Sequence, residues 1–592
     1  MKQLLSGNEA IARGAWEAGC DAGFGYPGTP STETLESFAK LEGVYAEWAV
    51  NEKVALENAL GFSMAGHRAL VTMKHVGVNV AADPLMSLAY SGVRGGLVLL
   101  AADDPGMFSS QNEQDSRNYA AFARVPMFEP ADSTEALQMT KEAFRLSEEL
   151  STICMVRSTV RISHTRTTVE VGERCQAEPV KFETSIKDWV MMPANARPKR
   201  LAADERMKVL ADYAEKSPLN KVELRDTSIG FICSGAAYQH VREAMPHAST
   251  LKLGISFPMP PQKVAEFFDA VDKVYVVEEA CDYFEKAVRA MGHVPAQWAQ
   301  QLPCSFELSP SIIRRSLGLD VPENPQAKEL ACNANLPGRP PALCAGCPHR
   351  VPFFELKRMR AIVLGDIGCY TLGALPPLAT LESAIDMGAS VSMGHGFEVA
   401  RALEKERGGE IAGGTRPVFS VIGDSTFAHS GLSGVISAVY NAASGNVVIL
   451  DNRTTAMTGG QGNAVSGITL QGRPSKELNL PEVLKACGVD EVIQANALDV
   501  KEVRAALKQA ASHTDMFSVV ICQSPCVVEY KVRGTKRVVE GESCRGCGAC
   551  VRIGCPAISR DADGRAVIDP NQCNGCSQCE QYCAFGAIST EE

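Results

Sequence analysis

Eight of the 21 cysteines lie beyond Gly541, as Cys544, Cys547, Cys550 and Cys555 and then Cys573, Cys576, Cys579 and Cys583. Three close cysteines and a fourth, repeated after a short spacer, restrict this stretch to a fold built on bound metal. It holds so few large apolar side chains that it could hardly fold without one. Dense triplets of this kind suit iron and sulfide, with zinc as the rival metal. The segment Met1 to Gly7 lacks an apolar signal core, and no uninterrupted apolar run is long enough for a bilayer. The expected compartment is the cytoplasm, where cysteines are poor disulfide candidates and better metal ligands.

A second constraint lies between Gly423 and Asn452. The apolar runs over 418–422 and 447–450 read as buried parallel strands. Leu432, Val435, Ile436 and Val439 recur between them at helical spacing, which predicts a βαβ unit. That topology predicts Asp424 and Asn452 side by side at the carboxyl ends of adjacent strands, where open α/β sheets bind ligands. One carboxylate and one amide oxygen suit Mg²⁺, which usually shares its shell with phosphate. An ordinary strand-to-helix turn would use the same residues.

Further α/β units are expected upstream. Ser6 and Glu9 predict a capping box for a helix running to about Ala18. Strands are expected over 24–26, 70–73, 97–101 and 152–156, with a helix from about Ser133. Val54, Leu56 and Leu60 predict a helix that carries Glu47, Glu52 and Glu57. This alternation predicts a doubly wound parallel sheet. Charged, proline-containing sequence from His164 to Arg225, including Pro193 and Pro198, reads as a linker. A smaller α/β unit follows, with strands over 229–233 and 274–277 and a helix over 237–244. Pro337, Pro340 and Pro341 mark another linker. The expected division is 1–165, a linker over 166–226, 227–320, a linker over 321–341, 342–533 and 534–592. A chain of 592 residues supports several such cores. A composition of 45% hydrophobic and 21% charged residues is that of a soluble globular protein, and a net charge of −11 argues against nucleic acid as the main partner.

The stretch Gly423, Asp424, Ser425, then Asp451, Asn452 resembles the diphosphate motif of thiamine diphosphate (ThDP) enzymes, with Ser425 and Asp451 where that family has glycine and asparagine. The resemblance implies Mg²⁺ on Asp424, Asn452 and the main-chain carbonyl of Thr454, with Gly423 and Ser425 at the diphosphate. Glu52, nine positions before Gly61, resembles the glutamate that activates the cofactor through N1′. A solvated helical glutamate is the plain alternative. Tyr26, Pro27, Gly28, Thr29, Pro30 and Ser31 are similar to a turn of the 2-oxoacid:ferredoxin oxidoreductases in which the threonine touches cofactor and substrate, although Thr29 could also cap the next helix. Pyruvate-specific members place an arginine near the end of the strand that here ends in Asp103 and Asp104. Lys74, His75 and Arg94 are left as candidates for the substrate carboxylate.

In the same family a Cys-x-x-Cys, a cysteine after the next strand and one beyond the ThDP motif hold a proximal 4Fe-4S cluster. Their counterparts are Cys344, Cys347, Cys369 and Cys526. A zinc site, a redox pair at Cys344 and Cys347, or buried free thiols are the competing readings. The tail resembles a bacterial ferredoxin with two 4Fe-4S clusters, in which each fourth cysteine crosses over. One cluster would take Cys544, Cys547, Cys550 and Cys583, and the other Cys573, Cys576, Cys579 and Cys555. Two departures are the four residues before Cys555 and the alanine after Cys583. The nine other cysteines, Cys20, Cys154, Cys175, Cys233, Cys281, Cys304, Cys332, Cys487 and Cys522, read mostly as packing residues.

Across essentially its whole length the chain resembles the alpha subunits of indolepyruvate:ferredoxin oxidoreductases, most clearly over 26–32, 74–79, 103–115 and 344–350. The implied architecture is two ThDP-binding-type doubly wound domains, a transketolase C-terminal-like α/β domain and a ferredoxin-like domain with two 4Fe-4S clusters. The implied activity is oxidative decarboxylation of arylpyruvates with coenzyme A, giving arylacetyl-CoA and CO₂ and passing electrons through three clusters to ferredoxin. A smaller beta subunit would complete an α2β2 assembly. The alternatives are a related 2-oxoacid or arylglyoxylate oxidoreductase with another substrate or acceptor, and a non-catalytic electron-transfer subunit.

Overall fold

The computed structural model describes residues 1–321, 326 and 340–590. Most of the expected linker over 321–341, with Pro337 and Cys332, lies outside the described residues. The chain divides into two compact units, Met1–Asn335 and Leu336–Glu592.

The first unit is built on strands β1 (Lys2–Ser6), β2 (Ala22–Gly25), β3 (Tyr45–Trp48), β4 (Ala69–Lys74), β5 (Leu97–Asp103), β6 (Met127–Phe128), β7 (Cys154–Thr159), β8 (Arg166–Glu170), β9 (Asn220–Glu223), β10 (Asp226–Cys233), β11 (Ala248–Leu253), β12 (Ile255–Phe257) and β13 (Val274–Val277). Its main sheet has the order β12-β6-β7-β5-β4-β2-β3 and is parallel except at β12. Strands β4, β5 and β7 are buried throughout, as their continuous apolar runs require of a sheet covered on both faces. The expected capping box opens the helix Gly7–Glu17: Glu9 donates its N–H to Ser6 Oγ at 3.1 Å, and Ser6 donates its N–H to Glu9 Oε2 at 2.8 Å.

Three expectations are corrected. Glu47 lies in β3 and not on the helix with Glu52 and Glu57. That helix begins at Glu52 because Asn51 caps it, accepting the N–H of Val54. The segment 166–226 is not simply a linker. It holds β8, paired antiparallel with β1, and a 24-residue helix, Pro193–Lys216. Pro193 sits at the helix start, where its missing N–H has no partner to lose. The four-stranded sheet β13-β10-β11-β9 belongs to the expected smaller α/β unit, but the following β12 joins the main sheet beside β6, so the two parts share structure.

The second unit has a six-stranded parallel sheet of β14 (Ile362–Gly365), β15 (Ser383–Ala384), β16 (Val418–Gly423), β17 (Gly445–Asp451), β18 (Glu491–Asn496) and β19 (Phe517–Gln523), in the order β15-β14-β16-β17-β19-β18. Successive side chains point to opposite faces. Phe419, Val421, Val448 and Leu450 enter one core, and Ile422, Val447 and Ile449 enter the other. The C-terminal segment adds antiparallel pairs of β20 (Arg537–Val539) with β23 (Ile588–Thr590) and β21 (Ile558–Arg560) with β22 (Ala566–Ile568). Its Ile553, Ile558, Tyr582 and Ile588 pack into the same core as Phe353 and Phe419.

Candidate functional site

The βαβ unit positions the second unit's polar site. Gly423 pairs with Leu450 across parallel β16 and β17, so Asp424 and Asn452 leave adjacent strands at one edge of the sheet. Both are buried, as is Thr454. One end of the Asn452 amide lies 3.2 Å from Asp424 Oδ1 and 2.8 Å from the Thr454 carbonyl oxygen. With its nitrogen inward, the amide donates to both. With its oxygen inward, three oxygens face one another and need a cation between them. Adjacent ligands of an octahedral Mg²⁺ with bonds of about 2.1 Å lie roughly 3.0 Å apart, so the donor set and its spacing fit that ion. Burial first, and then the Asp451 carboxylate, push Asp424 up to about 7, a shift that a bound cation would reverse. Asn463 Nδ2 donates to Asp424 Oδ2 at 3.1 Å, and the Ser425 and Thr455 hydroxyls lie 2.7 Å apart.

On the same edge, Cys526 donates its N–H to the Asn452 carbonyl at 3.0 Å. Cys526 also lies near Cys369, another member of the expected proximal set. Burial pushes Cys369 up to about 11, with Cys526 and Cys344 as the next contributors. Burial pushes Cys347 up to about 12, and Cys369 and Cys344 raise it further. Each residue of the expected proximal set therefore lies near at least one other member of it.

In the C-terminal segment, Cys555, Cys573, Cys576 and Cys579 line one cavity of about 370 Å³. Cys544, Cys547, Cys550 and Cys583 line another of about 330 Å³. Each fourth cysteine has crossed to the other triplet, despite the longer spacing before Cys555. Backbone N–H groups already point at sulfur: Ala587 to Cys583 at 3.2 Å, Ala566 to Cys544 at 3.5 Å and Arg537 to Cys573 at 3.5 Å. Such donors stabilise thiolates and tune a cluster held by them. Among the described residues no His, Cys, Asp or Glu group closes tightly enough for a single metal ion.

The first unit's candidates other than Arg94 stand at the carboxyl edge of its main sheet. Glu52 is buried, unlike the solvated glutamate of the plain reading. A β-carbon on Gly77 would lie 2.6 Å from Glu52 Cγ and Oε1, so the glycine makes room for the carboxylate. Thr29 is not the cap of the next helix, since Ser31 occupies that position. The turn is held by Gly28 N–H to Thr32 Oγ1 at 2.9 Å and Ser31 Oγ to Gly28 O at 2.8 Å. Lys74 ends β4 nearby and is buried. Arg94 is committed elsewhere, donating to the Lys181 and Glu183 carbonyls at 2.8 and 3.0 Å.

Asn463 and Gly77 escaped the sequence reading, because one sits in an irregular loop and the other has no side chain to announce a role. Among the unassigned cysteines, Cys20, Cys154, Cys233 and Cys522 are buried, whereas Cys175 and Cys304 are exposed and do not pack a core.

The family description "Thiamine pyrophosphate enzyme, C-terminal TPP binding domain" matches residues 366–522, and "Pyruvate flavodoxin/ferredoxin oxidoreductase, thiamine diP-bdg" matches 13–208. The chain is 40% identical to indolepyruvate oxidoreductase subunit IorA of Methanothermobacter marburgensis, over 99% of this chain and 97% of that one. It is 40% identical to the subunit of the same name from Thermococcus kodakarensis, over 99% and 96%. Against 2-oxoglutarate synthase subunit KorA of Archaeoglobus fulgidus the identity is 24%, over 47% of this chain and 87% of that one.

Proposed function

The chain belongs to the family of indolepyruvate oxidoreductase alpha subunits, ThDP-dependent oxidoreductases of 2-oxoacids, and on that premise we propose how its own residues serve the reaction. Asp424, Asn452 and the Thr454 carbonyl hold Mg²⁺ against the cofactor diphosphate, with Gly423 and Ser425 beside it. Glu52 holds a hydrogen bond to the aminopyrimidine ring, and its burial keeps water from competing for that bond. Thr29 orients the substrate at the turn. Bound in these places, ThDP supplies a carbon nucleophile and an electron sink, and 4Fe-4S clusters supply one-electron carriers.

Cys344, Cys347, Cys369 and Cys526 hold the proximal cluster, and the two crossed sets of the C-terminal segment hold the others. Indolepyruvate is oxidatively decarboxylated, coenzyme A takes the arylacetyl group, and ferredoxin takes the electrons. A beta subunit completes an α2β2 enzyme of the cytoplasm. Among the described residues no helix is long and apolar enough to cross a membrane. The observation that most supports this reading is the bond from the Cys526 N–H to the Asn452 carbonyl, which puts these two residues side by side on neighbouring strand ends. Asp424, Asn452 and Glu52 are all retained and buried, which speaks against a non-catalytic electron-transfer subunit.

The test is an anaerobic preparation with the partner subunit, assayed for iron, sulfide and ThDP and for viologen reduction with indolepyruvate, pyruvate and 2-oxoglutarate. Preference for either aliphatic acid would overturn the substrate assignment.

A further inference from the structure

We propose that the ammonium group of Lys74 binds the carboxylate of the 2-oxoacid substrate. The inference rests on the arylpyruvate reading and adds to it the group that recognises the acid.

Lys74 is the last residue of β4, which lies between β2 and β5 in the main sheet, so it stands at the edge where open α/β sheets bind ligands. The Thr29 turn is its neighbour: a β-carbon on Gly28 would lie 3.0 Å from Lys74 Cβ. Only three positions further along the chain, Gly77 packs against Glu52. The lysine therefore lies at the same edge as the residues proposed to orient substrate and cofactor.

Among the described residues its charge has no ion-pair partner. Lys74 is 7% exposed, and its Nζ donates to the Ser109 carbonyl at 2.6 Å and reaches the Ser109 hydroxyl at 3.4 Å. No described carboxylate lies within ion-pair distance of it. Asp104, the acid that acts on it most strongly, is already engaged by the N–H groups of Phe108 and Ser109 at 3.2 and 2.9 Å and by the Ser110 hydroxyl. The same Ser109 hydroxyl also lies 3.4 Å from the Thr29 carbonyl.

A buried ammonium with only neutral acceptors is an unfavourable arrangement unless an anion joins it. An ammonium has three donors, so one bond to Ser109 leaves two for a carboxylate. The other candidates do not compete. Arg94 is engaged by carbonyls, and His75 lies 3.3 Å from the Asn112 carbonyl, with burial holding it below the usual imidazole range despite Asp103 nearby.

Burial also pushes Lys74 down to about 8, with Asp104 opposing the shift. The free enzyme is then charged at neutral pH and loses that charge as pH rises through about 8, so affinity for an acid should fall in that range. Asp104, Asp103 and His75 are the ionisable groups around it.

The holoenzyme variants Lys74→Met and Lys74→Arg test the proposal. ThDP and iron contents should match the unmodified enzyme. In Lys74→Met the KM for indolepyruvate should rise about ten- to hundredfold, the range for losing one charge-assisted hydrogen bond, with a smaller change in kcat. Lys74→Arg should restore KM to within a few-fold. Inhibition by indole-3-acetate should weaken in parallel in Lys74→Met, whereas the neutral analogue tryptophol should bind unchanged. Equal weakening of the two analogues, or lost kcat at unchanged KM, would overturn the assignment. If Lys74→Met does not fold, Lys74→Arg decides: acid affinity that still falls through pH 8 in that variant defeats the proposal. An unmodified enzyme that does not turn over indolepyruvate would instead refute the substrate reading.

Discussion

Gln578 donates its side-chain amide to the Cys347 carbonyl at 3.1 Å, and it lies one residue before Cys579. This bond joins the loop of the proximal cysteines to the cavity ringed by Cys555, Cys573, Cys576 and Cys579. Arg350 reinforces the joint, since it lines that cavity and donates to the Cys344 carbonyl at 3.0 Å and the Ile553 carbonyl at 3.3 Å. On the proposed cluster assignment, electrons should pass from the Cys344 set to the Cys555 set and leave through the Cys544 set. Cys555→Ala should remove the middle cluster and stop ferredoxin reduction, leaving the outer cluster's spectrum in place. Cys583→Ala should do the reverse. Electron paramagnetic resonance of the two reduced variants checks the crossing, and loss of the same signal from both would contradict it.

Asp424→Asn removes the one formal negative charge of the proposed Mg²⁺ set. Losing a charge-assisted contact of about 1.5–3 kcal/mol should weaken ThDP binding about ten- to hundredfold, with partial recovery at high Mg²⁺. Asn463→Leu leaves the ligands intact but removes the donor that orients Asp424. A supporting residue of this kind is worth about 10–100-fold in metal affinity. Titration of apo-enzyme with ThDP at fixed Mg²⁺ measures both, and unchanged affinity in Asp424→Asn would remove that residue from the site.

What could be read beforehand followed from local pattern. The run over 418–422, the helical spacing after it and the run over 447–450 were enough to place Asp424 and Asn452 on adjacent strand ends, because a buried parallel pair has few other ways to be connected. The cysteine sets were legible through spacing and resemblance, and the crossing of Cys555 and Cys583 emerged despite the irregular spacer. The long helix from Pro193 was hidden because prolines read as breakers, and because only Ala203, Leu210 and Ala214 of it are buried, too few for an apolar stripe. The departure of β12 into the main sheet was invisible for a different reason: three residues carry no periodicity, and pairing with β6 is a tertiary choice.

Cys526→Ser should lower iron and sulfide by about one cluster per chain, since serine is a poor substitute for a thiolate ligand. The Cys526 main chain and its bond to Asn452 survive that change, so ThDP content should stay close to that of the unmodified enzyme. Indolepyruvate-dependent ferredoxin reduction should be lost. Iron, sulfide and ThDP analysis on one preparation checks the claim, and a full iron content would exclude Cys526 as a ligand.

Glu52→Gln keeps the shape of the side chain but not its acidity. Turnover should drop by about 10²–10⁴, the usual weight of a positioned acid or base, with ThDP and iron retained. A sharper version leaves Glu52 in place and moves it. In Gly77→Ala the new β-carbon would meet Glu52 Cγ and Oε1 at 2.6 Å, so the carboxylate must turn away. Gly77 lies within the short helix His75–Val80 and has no left-handed backbone angle, so alanine suits the local backbone and should not weaken the helix itself. A fall in kcat in Gly77→Ala, with thermal stability and cofactor content nearly unchanged, would trace the loss to the position of Glu52. If Gly77→Ala turned over normally, the buried carboxylate would have to act from some other orientation.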